Sequence, residues 1–357
     1  MTSFKAEIRP LQIGNLKIFP PIIQGGMGVR VSRANLASAV ANEGCAGIIA
    51  TAGSGLFEEH SGAEFTEVNE VALKKEIRKA RSQTKGIIGV NIMVALSDYD
   101  RLVKTSVEEK VDMIISGAGL PFHLPALAAG TDIKLIPIVS SVRTYNIICT
   151  RWKKQYNRLP DAVIIEGMKA GGHLGYSTEQ IEDGAPTLEQ ILKDVLDYQK
   201  EKNLDIPVIV AGGIFDGAEM RYFLERGASG VQMATRFVCT HECDVHMNFK
   251  QAYLKATADD ITLIKSPVGL PGRVINSEFV ESIKKGLRVP FECKYQCLKT
   301  CDPSTAPYCI AQVLANAAEG KLNDAFAFAG SNVWRCNEII SVKELIAKIM
   351  QEYADAK

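Results

Sequence analysis

The sequence has no excess of charge of either sign: Lys+Arg and Asp+Glu both number 41, so the formal net charge at pH 7 is zero. Without a basic or acidic surplus there is no long-range field to gather nucleic acid or an anionic bilayer surface, and neither is expected as a partner. Long hydrophobic runs are absent too. The longest apolar stretches are strand-sized, too short to span a bilayer. The N-terminal stretch MTSFKAEIRPLQIGNLKIFP shows no basic patch followed by an apolar core, so no secretion signal is expected. Flexible linkers and low-complexity tracts are also missing, which argues against independently tethered domains. Cysteine, by contrast, is not scarce. Nine occur, and without a secretion signal they read as reduced thiols in a cytoplasmic protein.

What is present is globular in composition: 46% hydrophobic and 23% charged residues over 357 positions. That length is large for one ordinary domain but normal for one α/β barrel with an extension. Short apolar, β-branched runs recur through residues 1–236, each followed by a small residue and then an amphipathic stretch. They are Pro21–Gln24, Gly47–Ala50, Ile87–Val90, Met113–Ser116, Leu135–Val139, Ala162–Ile165, Val208–Ala211 and Val231–Ala234. Strands apolar on both faces belong to a buried parallel sheet, and eight of them alternating with helices predict a closed (β/α)8 TIM barrel. The segment 237–357 breaks this rhythm and is expected as an extension packed on the barrel. In it, Phe237–Ala256 reads as a helix and Thr262–Ser282, with Pro267 and Pro271, as an ordered loop or lid. Pro290–Pro307 is cysteine-rich and irregular, and Tyr308–Glu319 and Val342–Tyr353 have helical periodicity.

In such a barrel the active site lies at the C-terminal ends of the strands. That rule selects Gln24, Gly25, Gly26 and Met27 after the first strand and Asn91 after the third. After the sixth come Glu166 and the glycine-rich stretch through Gly172 and His173, after the seventh Gly212 and Gly213, and after the eighth Ala234 and Thr235. Loops after strands seven and eight often cradle a phosphate with backbone N–H groups, although a glycine pair also serves a tight turn. The Asn91 amide, with donors and an acceptor, suits the mixed edge of a flavin; asparagine is equally a turn residue. His173 alone of the five histidines (His60, His123, His173, His241, His246) lies on a strand-end glycine loop. There an imidazole can hold an oxyanion or move a proton, whereas an isolated histidine is more often structural. Glu166 reads either as a ligand contact or as an orienter of its own loop. Cys293, Cys297 and Cys301 are spaced by three residues, with Cys309 further on. That spacing fits common zinc and iron–sulfur runs poorly, so no metal is expected and the four read as packed reduced thiols, with any ligand left open.

Five motifs in one order carry a resemblance: Pro21-Ile22-Ile23-Gln24-Gly25-Gly26-Met27, Gly89-Val90-Asn91-Ile92-Met93, Glu166 through Gly175, Ala211-Gly212-Gly213-Ile214 and Thr235-Arg236-Phe237. The set resembles the FMN-dependent nitronate monooxygenases (formerly 2-nitropropane dioxygenases), a family that includes the flavin-dependent bacterial enoyl-acyl carrier protein reductases. The resemblance implies non-covalent FMN, its ring over Gly25, Gly26 and Met27, and Asn91 on the ring or ribityl side. Its phosphate would sit on Gly213, Ala234 and Thr235, with Gly172 approaching the cofactor and His173 facing the substrate. The activity first implied is oxidation of an alkyl nitronate by O2 to a carbonyl compound and nitrite. The alternatives are NAD(P)H-dependent reduction of an enoyl thioester, to which the aliphatic Leu174 after His173 points, a general NAD(P)H:quinone reductase, and, last, a non-catalytic flavin-binding regulator. A small-molecule substrate is the expected partner, and a homodimer is left open as the assembly.

Overall fold

The computed structural model describes residues 8–58 and 65–356; His60 lies outside the described residues. Eight parallel strands form one sheet: β1 (Ile22–Gln24), β2 (Gly47–Ala50), β3 (Ile88–Met93), β4 (Met113–Gly117), β5 (Lys134–Val139), β6 (Val163–Glu166), β7 (Val208–Ala211) and β8 (Gly230–Met233). Each pairs with its neighbour in chain order, and β8 returns to β1. The ring closes between β1 and β2, where the Gln24 N–H donates to the Ala46 carbonyl and the Ala46 N–H to that of Ile22, both at 3.0 Å. The fold is a (β/α)8 barrel.

Alternation along each strand divides the core into two. Ile23, Ile48, Ile115, Ile136, Ile164 and Ile209 fill the barrel interior. Their neighbours Ile22, Ile49, Ile114, Leu135, Val163 and Val208 face outward into the layer of helices. Both sets are essentially inaccessible to water, and each such side chain stabilises the fold by roughly 1.5–3 kcal/mol. The interior is sealed at its N-terminal end by an antiparallel hairpin, Leu11–Ile13 with Leu16–Ile18, whose Leu11, Ile13 and Ile18 join the interior set.

Beyond the barrel the structure departs from the sequence expectation in two places. The helix expected over Phe237–Ala256 is two pieces, Thr235–Val238 and Met247–Lys255. Between them the chain bridges Thr240 to Ile340, and the His246 imidazole caps the second piece by accepting the Asn248 N–H at 3.1 Å. Thr262–Ser282 is not a loop. Ile261–Lys265 and Pro271–Ile275 pair as an antiparallel hairpin, followed by the helix Glu278–Lys284. The hairpin adds Gly172–His173 to its edge as a third strand, with Gly272 opposite His173. Helices Ile310–Ala318 and Val342–Asp355 complete this part of the chain, and the second packs against the helix Gly217–Leu224 that follows β7.

Candidate active site

A cleft opens at the C-terminal ends of the barrel strands, with about 1580 Å3 of non-atom space counting its open mouth. Gly25, Gly26, Met27, Asn91, Glu166 and Gly172 line it, as do His173, Gly212, Gly213, Ala234 and Thr235.

Gln24 does not reach the cleft. Its side chain is fully buried between β1 and β2, where it donates to the Gly25 carbonyl and to Ser32 Oγ at 2.9 Å and accepts the Ile48 N–H at 3.1 Å. It holds the glycine run from below. Above it, Gly26 lies against Asn91 so closely that a Cβ there would fall 2.4 Å from the Asn91 Cβ. The pair forms a flat floor that no larger residue can share.

At the far end, Gly212 and Gly213 have φ of +88° and +105°, conformations that L side chains rarely adopt. Asn332 Nδ2 donates to the Gly213 carbonyl at 2.8 Å, and the Gly330 N–H donates to Thr235 Oγ1 at 3.2 Å. Lys169 lines the cleft beside Gly213. Arg236, next to Thr235, turns away and forms a two-pronged pair with Glu352 at 2.8 Å.

His173 stands on the edge strand of the three-stranded sheet. Its Nε2 is 2.8 Å from Ser266 Oγ, and its ring meets Phe328 edge-on with centroids 4.9 Å apart. Burial drives its pKa down to about 4, so the imidazole is neutral at physiological pH. Ser266 is itself fixed, because its Oγ accepts the Val268 N–H at 3.2 Å. Arg273 clamps the glycine loop, donating to the carbonyls of Ala170 at 3.1 Å and Met168 at 2.7 Å. Desolvation pushes Glu166 up to about 7, so its carboxyl keeps a proton far more readily than an ordinary glutamate.

These residues fit a flavin nucleotide. Gln232 Oε1 is buried at the cleft without a hydrogen-bond partner, and such an atom calls for a ligand. The glycines supply backbone where a phosphate and a flat ring must approach. The strand-end rule could not find Ser266, Phe328, Asn332 and Gly330, since all come from the extension. Gln232 did leave a trace, as the polar residue inside the otherwise apolar Val231–Met233.

Comparison with known proteins agrees with this geometry. A solved FabK from Thermotoga maritima is 31% identical with a TM-score of 0.73, covering 93% of this chain and 92% of that one. A 5-hydroxy-7a-methyl-1-oxo-octahydro-1H-indene-4-carboxyl-CoA dehydrogenase of Rhodococcus jostii is 31% identical over 74% of this chain, and the match spans 65% of that relative's length. A probable nitronate monooxygenase of Bacillus subtilis is 26% identical over 93% of this chain and 95% of its own. The family model described as nitronate monooxygenase matches residues 9–352, and with the barrel, the glycine floor and the His173 loop in place, the chain belongs to the nitronate monooxygenase family of flavin-dependent oxidoreductases.

Proposed function

We propose that this protein uses non-covalent FMN to reduce the electron-poor double bond of an unsaturated acyl thioester, with NAD(P)H as reductant. One observation carries this reading: among the described residues that line the cleft, Lys169 is the single cationic side chain, and its stem packs beside Gly213. Among the described residues the ionisable side chains lining the cleft are Glu166, Lys169, His173 and Tyr253. His173 is held neutral by burial. An anionic nitronate would enter a desolvated site with Lys169 as its one counter-charge, whereas a thioester is uncharged. Phe249, Tyr253, Leu314 and Phe328 add an apolar wall suited to an acyl chain. The likeness to the FabK of Thermotoga maritima and to a relative named for a carboxyl-CoA compound supports the same substrate class.

In this reading Gly213, Ala234, Thr235 and Lys169 hold the phosphate, and the amides of Asn91 and Gln232 meet the polar edge of the ring or the ribityl chain. Glu166, with its raised pKa, can donate to or accept from a ribityl hydroxyl. FMN supplies the hydride chemistry when bound. Ser266 Oγ, which also accepts the Val268 N–H, is paired with His173 Nε2 at 2.8 Å, and the neutral imidazole it orients can hold or move a proton beside the substrate. Phe328 and the hairpin exclude water above it.

Oxidation of an alkyl nitronate by O2 is the second reading. It is favoured by the family match over residues 9–352 and by the Bacillus subtilis relative. A reducing cytoplasm suits the nine free thiols under either reading. Two assays on the yellow holoenzyme separate them. NAD(P)H consumption that requires a crotonyl-type thioester supports reduction; nitrite release from a nitronate in air without NAD(P)H, and no thioester turnover, would replace it with the oxygenase.

A further inference from the structure

Arg273 stands on the hairpin strand Pro271–Ile275, directly opposite Gly172 in the three-stranded sheet. Its side chain is half-buried and is not one of those lining the cleft. Among the described residues no carboxylate acts on it, and desolvation lowers its pKa. Both of its bonds go to main-chain oxygens: Nε donates to the Ala170 carbonyl at 3.1 Å and Nη2 to the Met168 carbonyl at 2.7 Å. A cation drawn out of water without a counter-charge works against the fold. What Arg273 contributes is therefore the hold of these two bonds.

They hold the loop that supplies the cleft with three ionisable side chains. Glu166 precedes the loop, Lys169 lies in it and His173 follows it. Between the two clamped carbonyls, that of Lys169 accepts the Ser331 N–H at 3.1 Å. Three successive carbonyls, those of Met168, Lys169 and Ala170, are thus fastened by the extension. Just beyond them Gly171 is wedged against the main chain of residues 329–330, where a Cβ would fall 2.5 Å from the Gly330 nitrogen. Gly172 then takes φ +77°. The Ala329 N–H donates back to the Arg273 carbonyl at 3.2 Å, which closes the knot. From this turn the chain passes straight into His173, paired with Gly272. Residues 167–171 are neither helix nor strand, so the loop has no ladder of its own to fix the direction in which it delivers the imidazole.

Spanning two carbonyls two residues apart calls for the planar fork of arginine; a lysine ammonium is a point charge on a flexible stem. We propose that Arg273 is a positioning residue: by clamping the Met168 and Ala170 carbonyls it fixes the glycine loop, and with it the seat of the His173 imidazole beside the substrate. This rests on the reading of His173 as the group beside the substrate, and it holds for a thioester or a nitronate alike.

The test is a double-mutant cycle on the purified holoenzyme, using whichever of the thioester and nitronate assays shows turnover. Arg273→Met keeps the stem and removes the fork. It is expected to retain flavin, read from the visible spectrum, and to lose about 10–100-fold in kcat. Arg273→Lys should fall between it and the unaltered protein. Added to His173→Ala, Arg273→Met should cost less than about twofold more, because losses that act through one group are not additive. A purely structural arginine would multiply the two losses. An unchanged kcat in Arg273→Met, a multiplied loss in the double variant, or a loss of flavin that accounts for the loss of rate would each overturn the proposal while leaving His173 in place. Full activity in His173→Ala alone would remove the His173 reading, and the proposal with it. Should Arg273→Met not fold, the same cycle run with Arg273→Lys decides by the same outcomes.

Discussion

His173 is neutral because the extension closes over it. An imidazole with a pKa near 4 when folded and about 6.5 when unfolded binds fewer protons in the native state between those values. Native stability therefore rises with pH from about 4 to 6.5 through this group and is unaffected by it above that window. His173→Gln should flatten that part of the stability–pH profile, measured by urea unfolding at several pH values. In turnover, His173→Ala is expected to retain FMN and lose about 10²–10⁴-fold in rate; an unchanged rate would remove His173 from the reaction. Gly26→Ala has the opposite signature. Its methyl group would collide with Asn91 at the floor of the cleft, so it should be purified with little or no flavin, read from the visible spectrum. Both residues were legible from sequence as strand-end positions. The neutrality of the ring was not, because desolvation comes from Ser266 and Phe328, far away along the chain.

At the scale of elements, close packing explains why the last helix is part of the fold. Gly217 opens the helix after β7, and a Cβ on it would lie 2.0 Å from the Ile349 carbonyl oxygen and 2.2 Å from the Tyr353 nitrogen. Its N–H donates to Glu352 at 3.0 Å, and Glu352 also holds Arg236 next to Thr235. Gly217→Ala must push the helix Val342–Asp355 outward, at a cost of roughly 1–3 kcal/mol. A clear fall in Tm by calorimetry is expected, with flavin affinity also reduced through Arg236 and Thr235. The barrel strands were readable to within three residues at either end, since a strand buried on both faces is a continuous apolar run. The hairpin Ile261–Lys265 with Pro271–Ile275 was hidden, because Pro267, Pro271 and Gly269 read as loop signals while Pro271 in fact begins a strand. The hairpin at Leu11–Ile18 is short enough that only its burial under the barrel identifies it.

For the whole molecule, the cleft joins barrel and extension, so a ligand there ties the two together. If the proposed FMN binds only the folded chain, it stabilises it by about 2.7 kcal/mol at a free concentration one hundred times its Kd. Removing the flavin should lower Tm, and adding FMN back should restore it in a concentration-dependent way. A Tm indifferent to FMN would place the cofactor elsewhere.

By itself the sequence determined the barrel, the end of it that carries chemistry, and the positions where a phosphate and an imidazole could stand. These follow from local periodicity and from glycine at strand ends, both written in consecutive residues. Only the tertiary structure decided that Gln24 is buried beneath the floor of the cleft, that Ser266 and Phe328 contact His173, and that the Lys169 stem lies beside Gly213. Each of these depends on contact or desolvation between segments far apart along the chain, and spacing along a chain carries no record of either.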